Sequence, residues 1–162
     1  LFRFRKGENI NAGIFEGKTI NTPSMLCVAD ALDSLFWIKK LGGWRKTYKR
    51  SLNNFRIVSE WYKERIWITN LVENEDIQSN SSVCLQIIDN QFLELSDIEK
   101  EKFINEMVAM LDEHQAAYDI KGHRDAPPGL RIWCGPTVEP EDLKCLLPWL
   151  DWAFHYVKAN KF

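Results

Sequence analysis

Hydrophobic residues recur at helical spacing in four long stretches of this 162-residue chain, and they alternate with polar residues in short runs between those stretches. The sharpest boundary is a capping-box pair, Ser96 and Glu99, behind which apolar residues follow at helical spacing. A helix with one wide apolar face must cover that face with another layer of structure, so this pattern constrains the fold more than any other feature. The other three predicted helices lie between Thr22 and Gly42, over 44–65 and over 140–158.

Four short segments between the helices have the alternation or the apolar content of strands. They lie at 66–72, 82–88, 118–120 and 130–134. The order helix, helix, strand, strand, helix, strand, strand, helix favours an α+β fold, in which helices pack on a small, mainly antiparallel sheet. Residues 1–22 hold three glycines and only short apolar pairs, so we interpret them as an N-terminal arm, followed by one domain at 23–162.

Charge and cysteine content exclude several classes of protein. The formal net charge of −2 gives no overall cationic field, which argues against a nucleic-acid partner. No apolar run approaches the roughly 20 residues needed to span a membrane, so we expect no membrane partner. The four cysteines lie far apart without metal-ligand spacing, and this predicts reduced thiols in the cytoplasm and no metal site.

The predicted helix at 44–65 has a basic outer face and an apolar stripe that includes Trp44, Tyr48 and Val58. Basic residues with interleaved aromatics can bind nucleic acid, so a non-catalytic binding module remains an alternative. Here the aromatics fall on the stripe that a core requires, and we therefore favour a solvated basic face.

A possible anion site lies at Asn21 and Thr22, immediately before the first predicted helix. Thr22 followed by Pro23 is typical of a helix start, because the hydroxyl can cap the first turn and proline fits its first position. Amides at a helix start, with an Asn amide and a Thr hydroxyl, can hold a phosphate. Taken alone, a helix cap without a ligand is the commoner explanation.

A second possible site combines His123 and Arg124 with Arg131. The first two offer a titratable donor and a fixed cation for a dianionic phosphate, and Arg131 can hold a carboxylate bidentately. In a strand at 130–134, the side chain of Arg131 points away from the apolar face. An exposed strand arginine and a loop histidine explain the same residues without a ligand. No side chain elsewhere in the chain predicts a catalytic role.

Four segments in the same order together resemble the phosphoserine aminotransferases. They are GIFEGKTINTPSMLC at 13–27, SSVCL at 81–85, DAPPGLRIW at 125–133 and LPWLDWAF at 147–154. The resemblance covers essentially the whole chain. It implies the C-terminal small domain of a fold type I, pyridoxal-phosphate-dependent enzyme, with residues 1–22 as the end of the large cofactor domain.

The resemblance also implies a reaction and a role for each site residue. Such enzymes act as homodimers in serine biosynthesis and exchange an amino group between phosphoserine with 2-oxoglutarate and phosphohydroxypyruvate with glutamate. Asn21 and Thr22 match the pair that reaches the cofactor phosphate of the neighbouring subunit. His123 and Arg124 match the pair that holds the substrate phosphate, and Arg131 matches the arginine that binds the substrate carboxylate.

The same resemblance places the cofactor-bearing lysine before the segment equivalent to Leu1, so no lysine of this chain matches it. We therefore expect these 162 residues alone to be inactive and to contain no catalytic residue. A related fold type I enzyme, such as an alanine-glyoxylate aminotransferase or a cysteine desulfurase, remains an alternative that need not bind phosphate at His123 and Arg124.

Overall fold

The described residues of this computed structural model are 5–6, 9–10, 12–18, 22 and 24–161. They fall into two compact units, Leu1–Lys46 and Thr47–Phe162. The predicted division into an arm at 1–22 and a domain at 23–162 remains a prediction.

The first unit contains a short antiparallel pair and one long helix. The pair is β1 (Arg5–Lys6) with β2 (Asn9–Ile10), followed by a 3₁₀ helix at Ala12–Glu16 and by α1 (Met25–Lys40). The predicted Thr22 cap is wrong, because α1 is capped by Ser24, whose Oγ accepts a hydrogen bond from Cys27 N at 3.5 Å. The predicted end at Gly42 is confirmed, since its φ of 100° is one that glycine adopts without strain.

The sheet of the second unit has three strands in the order β3 (Ile68–Asn70), β4 (Ser82–Ile87) and β5 (Gly129–Trp133), and both pairings are antiparallel. The predicted α+β fold is thereby confirmed. The predicted strand at 118–120 is wrong. Asp119 has a φ of 50°, which interrupts an extended backbone, so no strand forms at these residues. The chain contacts β5 through a bridge from Lys121 to Leu130 and through backbone hydrogen bonds of Ile120 and Gly122.

Four helices complete the architecture: α2 (Trp44–Lys63), α3 (Asn90–Glu94), α4 (Asp97–Glu113) and α5 (Pro140–Lys161). The capping box of α4 is present as predicted, with Ser96 and Glu99 each bonded to the backbone of the other. Helix α3 was not predicted; Asp89 caps it by accepting bonds from two amides of its first turn.

The core of the second unit lies between the helices and one face of the sheet. The buried residues of α2 are Ser51, Asn54, Val58, Trp61 and Tyr62. The predicted stripe is therefore correct at Val58 and wrong at its N-terminal end, where Trp44 and Tyr48 are exposed. Asn54 is buried because its side-chain amide donates to two carbonyls of the turn before α5, those of Gly135 and Val138.

Candidate functional site

Strand β5 separates core residues from candidate site residues by simple alternation. Leu130, Ile132 and Cys134 are buried, whereas Arg131 is partly exposed and Trp133 is exposed, as the sequence predicted. Burial raises the pKa of the Cys134 thiol to about 12, so this cysteine is a packing residue and not a nucleophile at neutral pH. Arg131 therefore lies on the face of the sheet that the apolar core does not cover.

Arg131 lies at a cavity of about 480 Å³ that is apolar over much of its wall. Its Nη2 donates to Oδ2 of Asp119 at 3.0 Å, an ion pair that the sequence did not predict. Asp142 and Ser82 add polar groups to the lining. The remaining lining residues are Ala116, Ala117, Tyr118, Ile120, Ile132, Trp133, Val138, Leu143 and Leu146.

The indole ring of Trp133 forms part of the wall of the same cavity, and its contacts hold it in one orientation. Its Nε1 donates to Oγ1 of Thr137 at 3.3 Å. Its ring also lies so close to Gly135 that a Cβ at that glycine would come within 2.3 Å of the indole. Gly135 is thus required for the ring position, which fixes an aromatic surface two residues from Arg131 on the same face of β5.

His123 and Arg124 lie side by side in an exposed loop. The loop is closed by a hydrogen bond from Gly122 N to the carbonyl of Gly129 at 2.9 Å. Asp125 organises it further: its amide donates to Nδ1 of His123 at 3.2 Å, and its Oδ2 lies 3.5 Å from Nε of Arg124. Because Nδ1 of His123 accepts this bond, Nε2 is the nitrogen that can donate to an external anion.

The structure brings some of the predicted site residues together and leaves others apart. His123 and Arg124 line one small cleft of about 20 Å³, whereas Arg131 lines the larger cavity described above. Thr22 is exposed and belongs to the first unit. Asn21 lies outside the described residues.

Asp151 shows what the LPWLDWAF segment does in the fold. Its carboxylate accepts hydrogen bonds from Nε1 of Trp61 at 3.0 Å, from Nε1 of Trp67 at 3.1 Å and from Nε of Arg65 at 3.0 Å. Burial acts to raise the pKa of Asp151, but the bonds from Arg65 and the two indoles outweigh it and hold the pKa below its ordinary value. This residue therefore ties α5 to the end of α2 and to the start of β3.

The described part of the chain has neither a side-chain cluster suited to a metal ion nor a helix suited to span a membrane. No group of His, Cys, Asp or Glu side chains there is arranged to hold a metal ion. Within the same residues, none of the helices has the length and apolar character of a membrane span.

The fold matches that of solved phosphoserine aminotransferases. The enzyme of Bacillus circulans subsp. alkalophilus superposes with a TM-score of 0.69 and 17% identity, over 88% of this chain and 36% of that one. The pyridoxal-phosphate-bound enzyme of Trichomonas vaginalis gives a TM-score of 0.69 and 17% identity, over 85% and 36%. At this identity the likeness establishes the architecture alone, which matches a part of these solved enzymes.

Sequence comparison finds similarity to enzymes of the same name. Phosphoserine aminotransferases of Methanosarcina mazei and Methanosarcina barkeri are each 42% identical over 158 residues, which is 98% of this chain and 40% of the relative. The chain matches no model of a protein family. The predicted resemblance to phosphoserine aminotransferase is confirmed, and the chain spans 40% of the length of these curated relatives.

Proposed function

We propose that this chain is the C-terminal, substrate-binding part of a phosphoserine aminotransferase. The intact enzyme exchanges an amino group between phosphoserine with 2-oxoglutarate and phosphohydroxypyruvate with glutamate, and it acts as a homodimer in cytoplasmic serine biosynthesis. The observation that carries the proposal is the 42% identity over 98% of the chain, with Arg131 on the uncovered face of a sheet whose fold matches solved enzymes of this name.

In this proposal, cationic side chains of the chain hold a substrate that is charged at both ends. Nε2 of His123 and the exposed guanidinium of Arg124 bind the phosphate, since a dianion gains most from charge-assisted donors. Arg131 binds the carboxylate with its planar fork. Gripping two ends fixes the amino group between them, and such positioning is what the chain's own residues contribute to the reaction.

The start of α1 suits the phosphate of the cofactor. The first turn of α1 contains no acidic residue, and Thr22 and Ser24 before it are exposed. A helix N-terminus of this kind attracts a phosphate through its dipole and its amides. We therefore assign Thr22, together with Asn21, to the phosphate of pyridoxal 5′-phosphate, which when bound supplies the electron sink of amino transfer.

We infer that the cofactor lysine is not among these 162 residues, and that residues 1–22 continue the large cofactor domain while 23–162 form the small domain. The purified chain alone is then inactive. Mixed with pyridoxal 5′-phosphate, it develops no absorbance band of a protein-bound imine. Appearance of such a band, lost on replacement of one of its lysines, contradicts this assignment.

Amino transfer in the full-length natural protein tests the activity. We expect transfer from O-phospho-L-serine to 2-oxoglutarate. Replacing Arg124 or Arg131 with Gln raises the KM for phosphoserine about tenfold or more, because each variant removes a charge-assisted pair with the substrate. Asp112→Asn, an exposed change on α4, serves as the control. Transfer from alanine to glyoxylate, release of sulfur from cysteine, or salt-dependent nucleic-acid binding in place of this activity refutes the proposal.

A further inference from the structure

The guanidinium that the proposed function assigns to a substrate carboxylate is already paired with a carboxylate of the chain itself. Nη2 of Arg131 donates to Oδ2 of Asp119 at 3.0 Å. Both residues line the cavity of about 480 Å³, and Asp142 adds a second carboxylate to its wall. This cavity thus contains two carboxylates and one guanidinium, so it does not attract a further anion by net charge.

The backbone holds Asp119 beside Arg131. The amide of Arg131 donates to the carbonyl of Ile120 at 2.7 Å, and the bridge from Lys121 to Leu130 continues this pairing. Ile120 itself is buried. Asp119 precedes this anchored stretch with a φ of 50°, a conformation that Asp and Asn adopt more readily than most residues. Its position opposite the guanidinium therefore follows from the fold.

The pair is nevertheless easy to separate. The Asp119 side chain is 88% exposed and that of Arg131 is 34% exposed. One contact is made, between Nη2 and Oδ2, whereas a guanidinium can bind a carboxylate through two parallel bonds. Exposed ion pairs contribute little because water screens them and the side chains lose freedom. A ligand carboxylate that forms both bonds in the cavity therefore binds Arg131 more strongly than Asp119 does.

We propose that Asp119 competes with the substrate carboxylate for the guanidinium of Arg131. In the absence of substrate it holds the guanidinium at the cavity, and the substrate displaces it on binding. The proposal rests on the proposed role of Arg131. Asp119 acts through Arg131 and is a positioning residue: it sets how strongly the site binds carboxylates without contacting the reacting atoms.

Two ligands that differ by one group separate this role from a structural one. O-phospho-L-serine carries the carboxylate, and O-phosphoethanolamine is the same molecule without it. In the full-length natural protein, Asp119→Asn tightens phosphoserine binding, measured by titration calorimetry, about two- to fivefold, the range that loss of an exposed ion pair allows. Binding of phosphoethanolamine is unchanged. In the transfer reaction the KM for phosphoserine falls by the same factor and kcat is unchanged.

Three comparisons complete the experiment. Asp112→Asn removes an equal charge from an exposed position on α4 and leaves both affinities unchanged. Arg131→Gln weakens phosphoserine binding about tenfold or more and leaves phosphoethanolamine binding unchanged. Asp119→Gly, which also accepts the positive φ, should give the same gain in phosphoserine binding as Asp119→Asn. It replaces Asp119→Asn in the test if that variant folds poorly.

The outcomes distinguish the two proposals. If Arg131→Gln weakens phosphoserine selectively while Asp119→Asn leaves it unchanged or weakens it, Arg131 keeps its role and Asp119 is not a competitor. If Arg131→Gln has no selective effect, both the role of Arg131 and the competition are wrong. An equal gain from Asp112→Asn reduces the effect to net charge and also overturns the role of Asp119.

Discussion

The most demanding test of the fold is Asp151→Asn, because both oxygens of the Asp151 carboxylate accept hydrogen bonds. Oδ1 accepts from Trp67 and Oδ2 accepts from Trp61, and Nε of Arg65 lies 3.0 and 3.1 Å from the two. An amide has one accepting oxygen and one NH₂ group, so its oxygen can accept from only one of the two indoles. The NH₂ group then faces the N–H of the other indole, and water cannot replace the lost acceptor because Trp61 and Trp67 are only 6% and 2% exposed.

The expected cost follows from what the amide leaves unsatisfied. One buried indole N–H loses its acceptor, at about 1–3 kcal/mol, and Arg65 loses a charge-assisted bond on a partly exposed side chain, at up to about 1 kcal/mol. Asp151→Asn should therefore lower the free energy of unfolding by about 1–4 kcal/mol at pH 7. Urea titrations followed by tryptophan fluorescence measure it, with Asp112→Asn within about 0.5 kcal/mol of the unmodified chain. A loss below about 1 kcal/mol for Asp151→Asn refutes the reasoning.

The same variant predicts a pH dependence with a defined sign. Burial acts to raise the pKa of Asp151, but its bonds hold the folded-state pKa below the ordinary value. A carboxyl of this kind contributes stability that is present above its unfolded pKa of about 3.9 and is lost as the pH falls through the folded pKa. The difference in unfolding free energy between the unmodified chain and Asp151→Asn should narrow below about pH 4. A constant difference from pH 7 to pH 3 would show that the ionised form is not what the indoles bind.

Three further predictions concern β5 and its ends. Gly129→Ala places a Cβ 2.2 Å from the carbonyl oxygen of Leu85, so it should destabilise the chain by about 1–3 kcal/mol or more in the same urea titration; an unchanged midpoint contradicts the close approach. Gly135→Ala should displace the Trp133 ring and shift the tryptophan emission maximum. The same change made together with Trp133→Phe should cause no such shift. Cys134, with its pKa raised to about 12, should resist a thiol reagent at pH 8 until the chain is unfolded, whereas exposed Cys145 reacts in the folded state.

Local signals predicted the elements that depend on neighbouring residues. The Ser96 capping box, the glycine stop at Gly42 and the alternation along β5 all act within a few residues, and the structure has all three. Helix α2 shows the limit of periodicity. Its pattern predicted a stripe through Trp44, but a polar residue, Asn54, is buried instead because it satisfies two carbonyls of a turn more than 80 residues away.

Two other residues that the sequence did not single out, Asp151 in the fold and Asp119 at the candidate site, have their roles for the same reason. Asp151 is surrounded by donors that lie 84 to 90 residues earlier in the chain, so nothing near it in the sequence marks it as a hub. Asp119 has a backbone conformation that no local pattern required, and this conformation both ends the predicted strand at 118–120 and sets the carboxylate beside Arg131. Long-range partners and single left-handed residues are what a one-dimensional pattern does not contain.

The DAPPGLRIW segment divides into a part that the fold requires and a part that it does not. Gly129 permits the approach of β4, and Leu130 and Ile132 fill the core, so these residues set the register of the strand. A slip of one residue would bury Arg131 and expose the apolar side chains, which the core does not allow. The apolar positions therefore decide the face on which Arg131 lies, but they do not require an arginine there. Its chemistry must be explained by what binds on the uncovered face, and this makes Arg131 the residue at which the functional proposal is most directly tested.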